Sequence, residues 1–189
     1  MIEKPEPFLG MEPEGIFLHG SSIVLPQGGL VFLGHSSSGK STIARLLSRE
    51  FQAISDDKVI VFRRGERWMV KSGDSRNKFT GEEGVRVFKG HSPLAAFVRI
   101  YPATQNSIHP LDGVSLCKCL LDAVFEVDRQ RRDADVGTRK RWFQTAVELA
   151  KSIPGWKLGF QKDVSIVEFI QESFDTDLAC EKKRRNVDE

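Results

Sequence analysis

The chain has 189 residues, of which 40% are hydrophobic, so it is long enough to bury a sizeable core and fits one domain. Its net charge is only +2, which argues against a nucleic acid partner, because proteins that follow a phosphate backbone carry a basic surplus. No signal peptide pattern opens the sequence, and no apolar run approaches the roughly 20 residues of a membrane helix. We therefore predict a cytoplasmic protein without a membrane segment. The chain has three cysteines, Cys117, Cys119 and Cys180. Because their number is odd and no two form a C-x-x-C pair, we predict that they are reduced thiols.

Short apolar runs separated by Gly, Pro and Asp predict strands through the first part of the chain. Residues 1–14 hold three prolines and predict an irregular lead-in. The opening strands, with tight turns between them, predict a meander rather than a βαβ unit. The stretch 53–62 predicts a strand kinked at an acidic pair, followed by a hairpin. The predicted strands before residue 72 are 15–19, 23–25, 30–33, 53–62 and 67–71.

The second part of the chain predicts one long loop and then mostly helices. Residues 72–91 are polar and Gly-rich, and loops of that length are usually functional, so we expect a substrate-side loop. Residues 102–112 also predict a loop. Residues 175–189 are highly charged and predict a frayed C-terminal tail. The residues before them, 15–174, are predicted to form a single domain. The other predicted strands are 94–101 and 155–160. Helices are predicted at 115–128 and at 138–152, the second with Phe143 facing inward. A last helix is predicted to begin after a cap at Asp163 or Ser165.

A phosphate-binding loop is predicted where an apolar strand meets a helix. The residues Gly34 to Thr42 match G-x-x-x-x-G-K-[ST], and the strand before them and the helix after them are the required context. Glycines at both ends let the backbone turn its N–H groups toward one point, near the positive end of the helix. Lys40 can reach the outer phosphates, and the Ser41 hydroxyl can bind Mg²⁺. The predicted nucleotide-binding residues are Gly34, His35, Ser36, Ser37, Ser38, Gly39, Lys40, Ser41 and Thr42.

An acidic pair, Asp56 and Asp57, follows 16 residues after Lys40. One helix, a short connection and half a strand fit in that interval, so the pair returns beside the phosphate loop. One carboxylate can hold Mg²⁺, and the other can take the proton of an acceptor hydroxyl. Neighbouring strand residues point to opposite faces, so a kink is needed for both to serve. Which aspartate has which role stays open at this point.

These motifs resemble a known kinase family. His19-Gly20 before the loop, Gly34 to Thr42, and Ser55-Asp56-Asp57 together are similar to the kinase domain of HPr kinase/phosphorylase and of small HPr-kinase-like serine kinases. The resemblance implies an α/β mixed-sheet P-loop domain of the type shared with ATP-type phosphoenolpyruvate carboxykinase, with C-terminal helices. It also implies ATP and Mg²⁺ as cofactors, a serine-type hydroxyl as acceptor, and a homo-oligomer, often a ring-shaped hexamer.

The resemblance also implies individual roles. It assigns Asp56 as the base, Lys40 and His19 as catalytic residues near the γ-phosphate, and Ser41 with Asp57 to the metal. The chain departs from the family in having no Glu-x-Arg-Gly-Leu-Gly stretch, which puts the phosphorylase reaction and HPr itself in doubt. The acceptor can therefore be a protein, a peptide or a small molecule.

Two other functions remain open from the sequence. A small-metabolite kinase of the nucleoside-kinase type needs an arginine-rich lid, for which Arg129, Arg131 and Arg132 are the candidate. A nucleotide-binding regulatory module with little turnover needs only the phosphate loop. Transfer of phosphate to an added acceptor would separate a kinase from such a module.

Overall fold

The computed structural model describes residues 15–74, 79–131 and 134–174. The predicted lead-in and tail lie outside these residues, as do Cys180 and the side chains of the candidate lid arginines. The predicted fold class is confirmed: a curled mixed sheet is followed by C-terminal helices. The strands are β1 (Gly15–His19), β2 (Ser21–Leu25), β3 (Gly28–Leu33), β4 (Gln52–Ser55), β5 (Lys58–Arg64), β6 (Arg67–Ser72), β7 (Arg86–Val87), β8 (His91–Pro102), β9 (Ser107–Leu111) and β10 (Gly155–Phe160). The helices are α1 (Lys40–Leu47), α2 (Gly113–Arg131), α3 (Val136–Ser152) and α4 (165–174).

The long strand β8 holds the sheet together. Its first residues pair antiparallel with β6, and its later residues pair parallel with β3 on one side and β10 on the other. Residues Ala96, Phe97 and Val98 are fully buried, as expected for a strand covered on both faces. Beyond β3 the sheet continues through β2 and β4 to β7, and beyond β6 it continues through β5 to β1.

Two hydrophobic clusters lie on opposite faces of the sheet. One joins α1 and α4 to the sheet and contains Phe32, Phe160 and Phe174. The other joins α2 and α3 to the sheet and contains Phe97 and Leu120. Every residue of β3 is buried, because this strand lies between the two clusters. The strand that leads into the phosphate loop is therefore held in the centre of the molecule.

Several sequence predictions need correction. The opening strands do not form one meander, because β2 pairs with β3 whereas β1 pairs with β5 at the other end of the sheet. Residues 107–111 were predicted as loop but form β9, which pairs with β10. The strand is short, contains a proline and has no fully buried residue, so its sequence lacks the apolar run of a buried strand. Phe143 was predicted to face inward, yet its side chain is 54% exposed, and Ala146 and Leu149 are the buried residues of α3. No helix among the described residues is long and apolar enough to cross a membrane.

The segment 72–91 is only partly a loop. Its described part includes the two-residue strand β7, which pairs with β4, and Phe79, which is 1% exposed within the cluster around α1. The Arg45 side chain of α1 lies 2.8 Å from Glu82 and 5.6 Å from the centre of the Phe79 ring. This part of the segment therefore packs against α1 and β4, and its role toward a substrate stays a prediction.

Candidate functional site

The loop between β3 and α1 has the backbone that a phosphate site requires. Gly39 lies in the left-handed region at φ 102° and is the N-cap of α1, without a side chain that caps the helix. A Cβ at Gly39 would lie 2.7 Å from Cζ of Phe160, and one at Gly34 would lie 2.7 Å from Oγ of Ser38. Both glycines are thus required by conformation or space. The first N–H groups of α1 have no intrahelical acceptor and remain available to an anion.

The middle of the loop is exposed, in contrast to its ends. His35, Ser36 and Ser37 are exposed, and Ser37 is the one non-glycine residue of the described chain at positive φ, at 66°. Ser38 is buried, and its Oγ has no hydrogen-bond partner among the described residues. A strained residue and an unsatisfied buried hydroxyl in one loop are features that ligand sites commonly retain.

Lys40 is 6% exposed and folds back onto its own loop. Its Nζ donates to the carbonyl oxygens of Gly34, at 2.7 Å, and His35, at 3.0 Å. An ammonium has three donors, so one remains for a phosphate oxygen. Burial lowers the pKa of Lys40, while the negative charges of Glu126 and Asp57 raise it. The lysine of the motif therefore points into the loop and lies within the field of two carboxylates.

The acidic pair lies in a two-residue bend between β4 and β5, which supplies the predicted kink. Ser41 Oγ donates to the backbone oxygen of Asp56 at 3.1 Å, so the motif serine and the pair are in contact. Asp56 is buried, at 2% exposure. The side chain of Asp57 is 29% exposed. The bend brings both residues beside the loop, but with different access to solvent.

His19, at the end of β1, lies next to Asp57. The Nδ1 atom of His19 is 3.4 Å from Oδ1 of Asp57, but the two atoms do not form a hydrogen bond. The residues are close because β1 pairs with β5, which places His19 opposite Lys58, the residue after Asp57. Burial and the positive charge of Lys40 lower the pKa of His19, while Glu126 and Asp57 raise it. The net lowering favours the neutral imidazole at neutral pH.

The glycine after His19 has a structural reason. A Cβ at Gly20 would lie 2.8 Å from the backbone oxygen of Phe32, inside van der Waals contact. The Gly20 N–H donates to the backbone oxygen of Asp57 at 2.9 Å. The His-Gly pair thus joins β1, β3 and the acidic bend, and this contact positions His19.

Glu126 of α2 completes the cluster and was not predicted from the sequence. Its Oε1 lies 3.6 Å from Nε2 of His19, so the imidazole lies between two carboxylates, those of Asp57 and Glu126. No local pattern identifies Glu126, because it is one of many acids on amphipathic helices and meets the loop only through tertiary packing. Its spacing of four from Asp122 on α2 shows a shared face, but not what that face covers.

These residues fit the nucleotide and metal that the loop motif implies. The uncapped helix end, the buried lysine and the unsatisfied Ser38 hydroxyl offer donors to phosphate oxygens. No group of three or more His, Cys, Asp or Glu that could hold a metal ion occurs in the described ranges. Mg²⁺ in a nucleotide complex needs only one or two carboxylates besides phosphates and waters, so Asp57 and Ser41 are the residues that would hold it.

A cavity of about 110 Å³ opens beside the loop, on the side of α2. It is lined by Gly34 and His35, by Arg99 of β8 and by one face of α2 that ends in Glu126. The cavity is therefore next to the residues that would hold the outer phosphates, and charged groups of both signs surround it.

Comparisons with known proteins agree with the fold. The family model of "SynChlorMet cassette protein ScmC" matches residues 10–174, so the chain belongs to this family. Among solved structures, the Hpr(Ser) kinase/phosphatase from Coxiella burnetii is similar, with a TM-score of 0.51 and 10% sequence identity over 90% of this chain and 95% of that chain. At this identity the likeness shows the fold alone. No curated protein sequence matches the chain.

Proposed function

We propose that this member of the ScmC family is an ATP-dependent phosphotransferase that moves the γ-phosphoryl group to a serine-type hydroxyl. The observation that carries the proposal is the convergence of Lys40, the acidic bend and His19 at one end of the phosphate loop. A loop that only binds nucleotide needs no such set of titratable groups beside it. The likeness in fold to an Hpr(Ser) kinase/phosphatase supports a kinase-like module.

In the proposed reaction, one carboxylate accepts the proton of the acceptor hydroxyl as the hydroxyl oxygen forms a bond to the γ-phosphorus. The bond from that phosphorus to the β–γ bridging oxygen breaks, and ADP leaves with the electron pair. We assign Asp56 as the base and Asp57, with Ser41, to the metal. Bound Mg²⁺ would supply neutralisation of the charge on the phosphate oxygens. Lys40 holds the same oxygens.

The exchanged assignment has an observation of its own. Asp57 is the more exposed aspartate and contacts His19, whereas Asp56 is buried. In that arrangement Asp57 accepts the proton beside the imidazole of His19. The two assignments differ in how each aspartate affects the metal requirement, which a magnesium titration can measure.

The test is transfer of label from ATP to an acceptor. The purified protein is incubated with γ-labelled ATP, Mg²⁺ and a panel of acceptors: L-serine, a capped serine peptide and a small serine-containing protein. We expect labelled phosphate that is stable to acid, as phosphate on a hydroxyl is, in the presence of at least one acceptor. ATP binding without transfer to any acceptor would favour the regulatory module instead.

A further inference from the structure

The cavity between the phosphate loop and α2 is organised along the helix. The α2 residues that line it include Lys118, Asp122 and Glu126, which are four residues apart and therefore lie in one row on one face of the helix. Eight residues of helix span about 12 Å. The row thus presents one basic and two acidic groups in a fixed order along the cavity.

One end of this row is the reacting end. Glu126 Oε1 is 3.6 Å from Nε2 of His19, and its charge raises the pKa of Lys40. Gly34 and His35, whose backbone oxygens accept from Lys40, also line the cavity. A molecule in the cavity would therefore have its Glu126 end next to the groups proposed to hold and transfer the phosphoryl group.

The other end of the row is cationic. Arg99 of β8 and Lys118 both line the cavity. Burial raises the pKa of Cys119, the neighbour of Lys118 on α2, and among the charges around this thiol those of Arg99 and Lys118 lower its pKa while that of Asp122 raises it. Within the described part of the chain, neither cation has an ion-pair partner within 4.0 Å. Arg99 is half-buried, whereas Lys118 is exposed. This end can therefore pair with a carboxylate.

The size of the cavity limits what can occupy it. At about 110 Å³ it is well below the roughly 300–1,000 Å³ of pockets that hold drug-sized ligands, so it would not enclose a whole nucleotide. Cys119 and Ala123 supply small side chains to the wall between the charged ends, and Asp122 supplies an anion there. The space and the charges suit a molecule of a few non-hydrogen atoms that carries both signs.

We infer that this cavity binds the acceptor, and that the acceptor is a free hydroxy amino acid such as serine. Its carboxylate pairs with Arg99 and Lys118, its ammonium group faces Asp122, and its hydroxyl points to the Glu126 end. A serine inside a peptide has neither a free carboxylate nor a free ammonium group, so it would leave Arg99, Lys118 and Asp122 without partners. The inference rests on the proposed function, since it names the acceptor of that reaction.

The test is a calorimetric titration of the protein with L-serine in the presence of Mg²⁺ and a non-hydrolysable ATP analogue. We expect L-serine to bind, and serinamide, which lacks the carboxylate, to bind at least about tenfold more weakly. Arg99→Gln should weaken L-serine binding by a similar factor. L-serine and serinamide should then bind to this variant with nearly the same affinity. Lys151→Gln, at an exposed lysine in the last turn of α3, is the matched control and should bind as the wild type does.

The outcomes separate this inference from the proposed function. If the nucleotide analogue binds but L-serine does not, or if Arg99→Gln binds L-serine as the wild type does, the amino acid site is wrong and the kinase proposal stands. Tighter binding of a capped serine peptide than of L-serine also overturns the inference, in favour of a peptide acceptor. Failure of the wild type to bind the nucleotide analogue would contradict the proposed function itself.

Discussion

At the scale of single residues, the groups at the end of the phosphate loop come from distant parts of the sequence, with Lys40 on α1, His19 on β1 and Glu126 on α2. The glycines at 34 and 39 and the lysine at 40 were assigned from spacing, and the structure places them in one loop with the expected strand and helix. Two features could not be predicted. Lys40 is bonded to its own loop, and Glu126 reaches His19 from a helix more than 100 residues away in sequence. Both depend on tertiary packing, which no local pattern encodes.

The two aspartates should give different defects when each is changed to asparagine. If Asp56 is the base, Asp56→Asn keeps the shape but cannot accept a proton, so transfer should fall by roughly 10²–10⁴ with ATP affinity near wild type. If Asp57 is on the metal side, Asp57→Asn should raise the Mg²⁺ concentration for half-maximal rate, and high Mg²⁺ should restore part of it. The measurement is a Mg²⁺ titration of the transfer rate and of ATP binding for both variants.

Opposite phenotypes would exchange the two roles and keep the mechanism, as the contact of Asp57 with His19 allows. If both variants transfer phosphate at the wild-type rate, the pair is only a polar bend between β4 and β5. The control is Glu148→Gln, because Glu148 is an exposed acid of α3 that belongs neither to the bend nor to the lining of the cavity.

At the scale of elements, buried apolar strands were predicted well and polar or short ones were not. The β3 and β8 strands were evident from apolar runs, because both are covered on two faces. The β9 strand is short, contains a proline and has no fully buried residue, and its pairing with β10 defines it. The segment before β7 was predicted as a loop because Phe79, its fully buried residue, is surrounded in the sequence by polar residues and glycines.

Phe79 should anchor that segment far more strongly than the ion pair beside it. Phe79 is fully buried against α1, so Phe79→Ala should lower the free energy of unfolding by about 3–5 kcal/mol. Glu82→Gln removes the partner of Arg45 at an exposed site, where such pairs contribute about 0–1 kcal/mol. Chemical denaturation of both variants measures the difference. Equal stabilities would mean that the segment is not held by the core.

Limited proteolysis gives an independent check on the same pair of variants. Cleavage between residues 72 and 91 should be faster in Phe79→Ala than in the wild type and in Glu82→Gln, because loss of the anchor lowers the free energy of local opening. Similar cleavage patterns in all three proteins would contradict this account of the segment.

At the scale of the whole molecule, the sheet explains why distant parts of the sequence meet at one site. The order of the strands places the end of β1 beside the start of β5, and it places β3 beside β8, which carries Arg99 toward α2. A hydrophobic pattern predicts which residues are buried, but the partner of each strand depends on pairings across long stretches of chain. The mixed fold was therefore predicted through resemblance, and the cavity beside α2 emerged only from the structure.

We propose that this loop binds the phosphates of a nucleotide, and calorimetry with ATP and Mg²⁺ tests that binding most directly. The variant is Lys40→Met, which keeps much of the buried stem and removes the charge. Lys40→Ala serves as the second variant, with circular dichroism to verify the fold, since Lys40 also bonds the loop carbonyls. Charged hydrogen bonds contribute about 1.5–3 kcal/mol, so both should bind ATP about 10- to 100-fold more weakly than the wild type and Lys151→Gln. Wild-type affinity in folded Lys40→Met would contradict the claim.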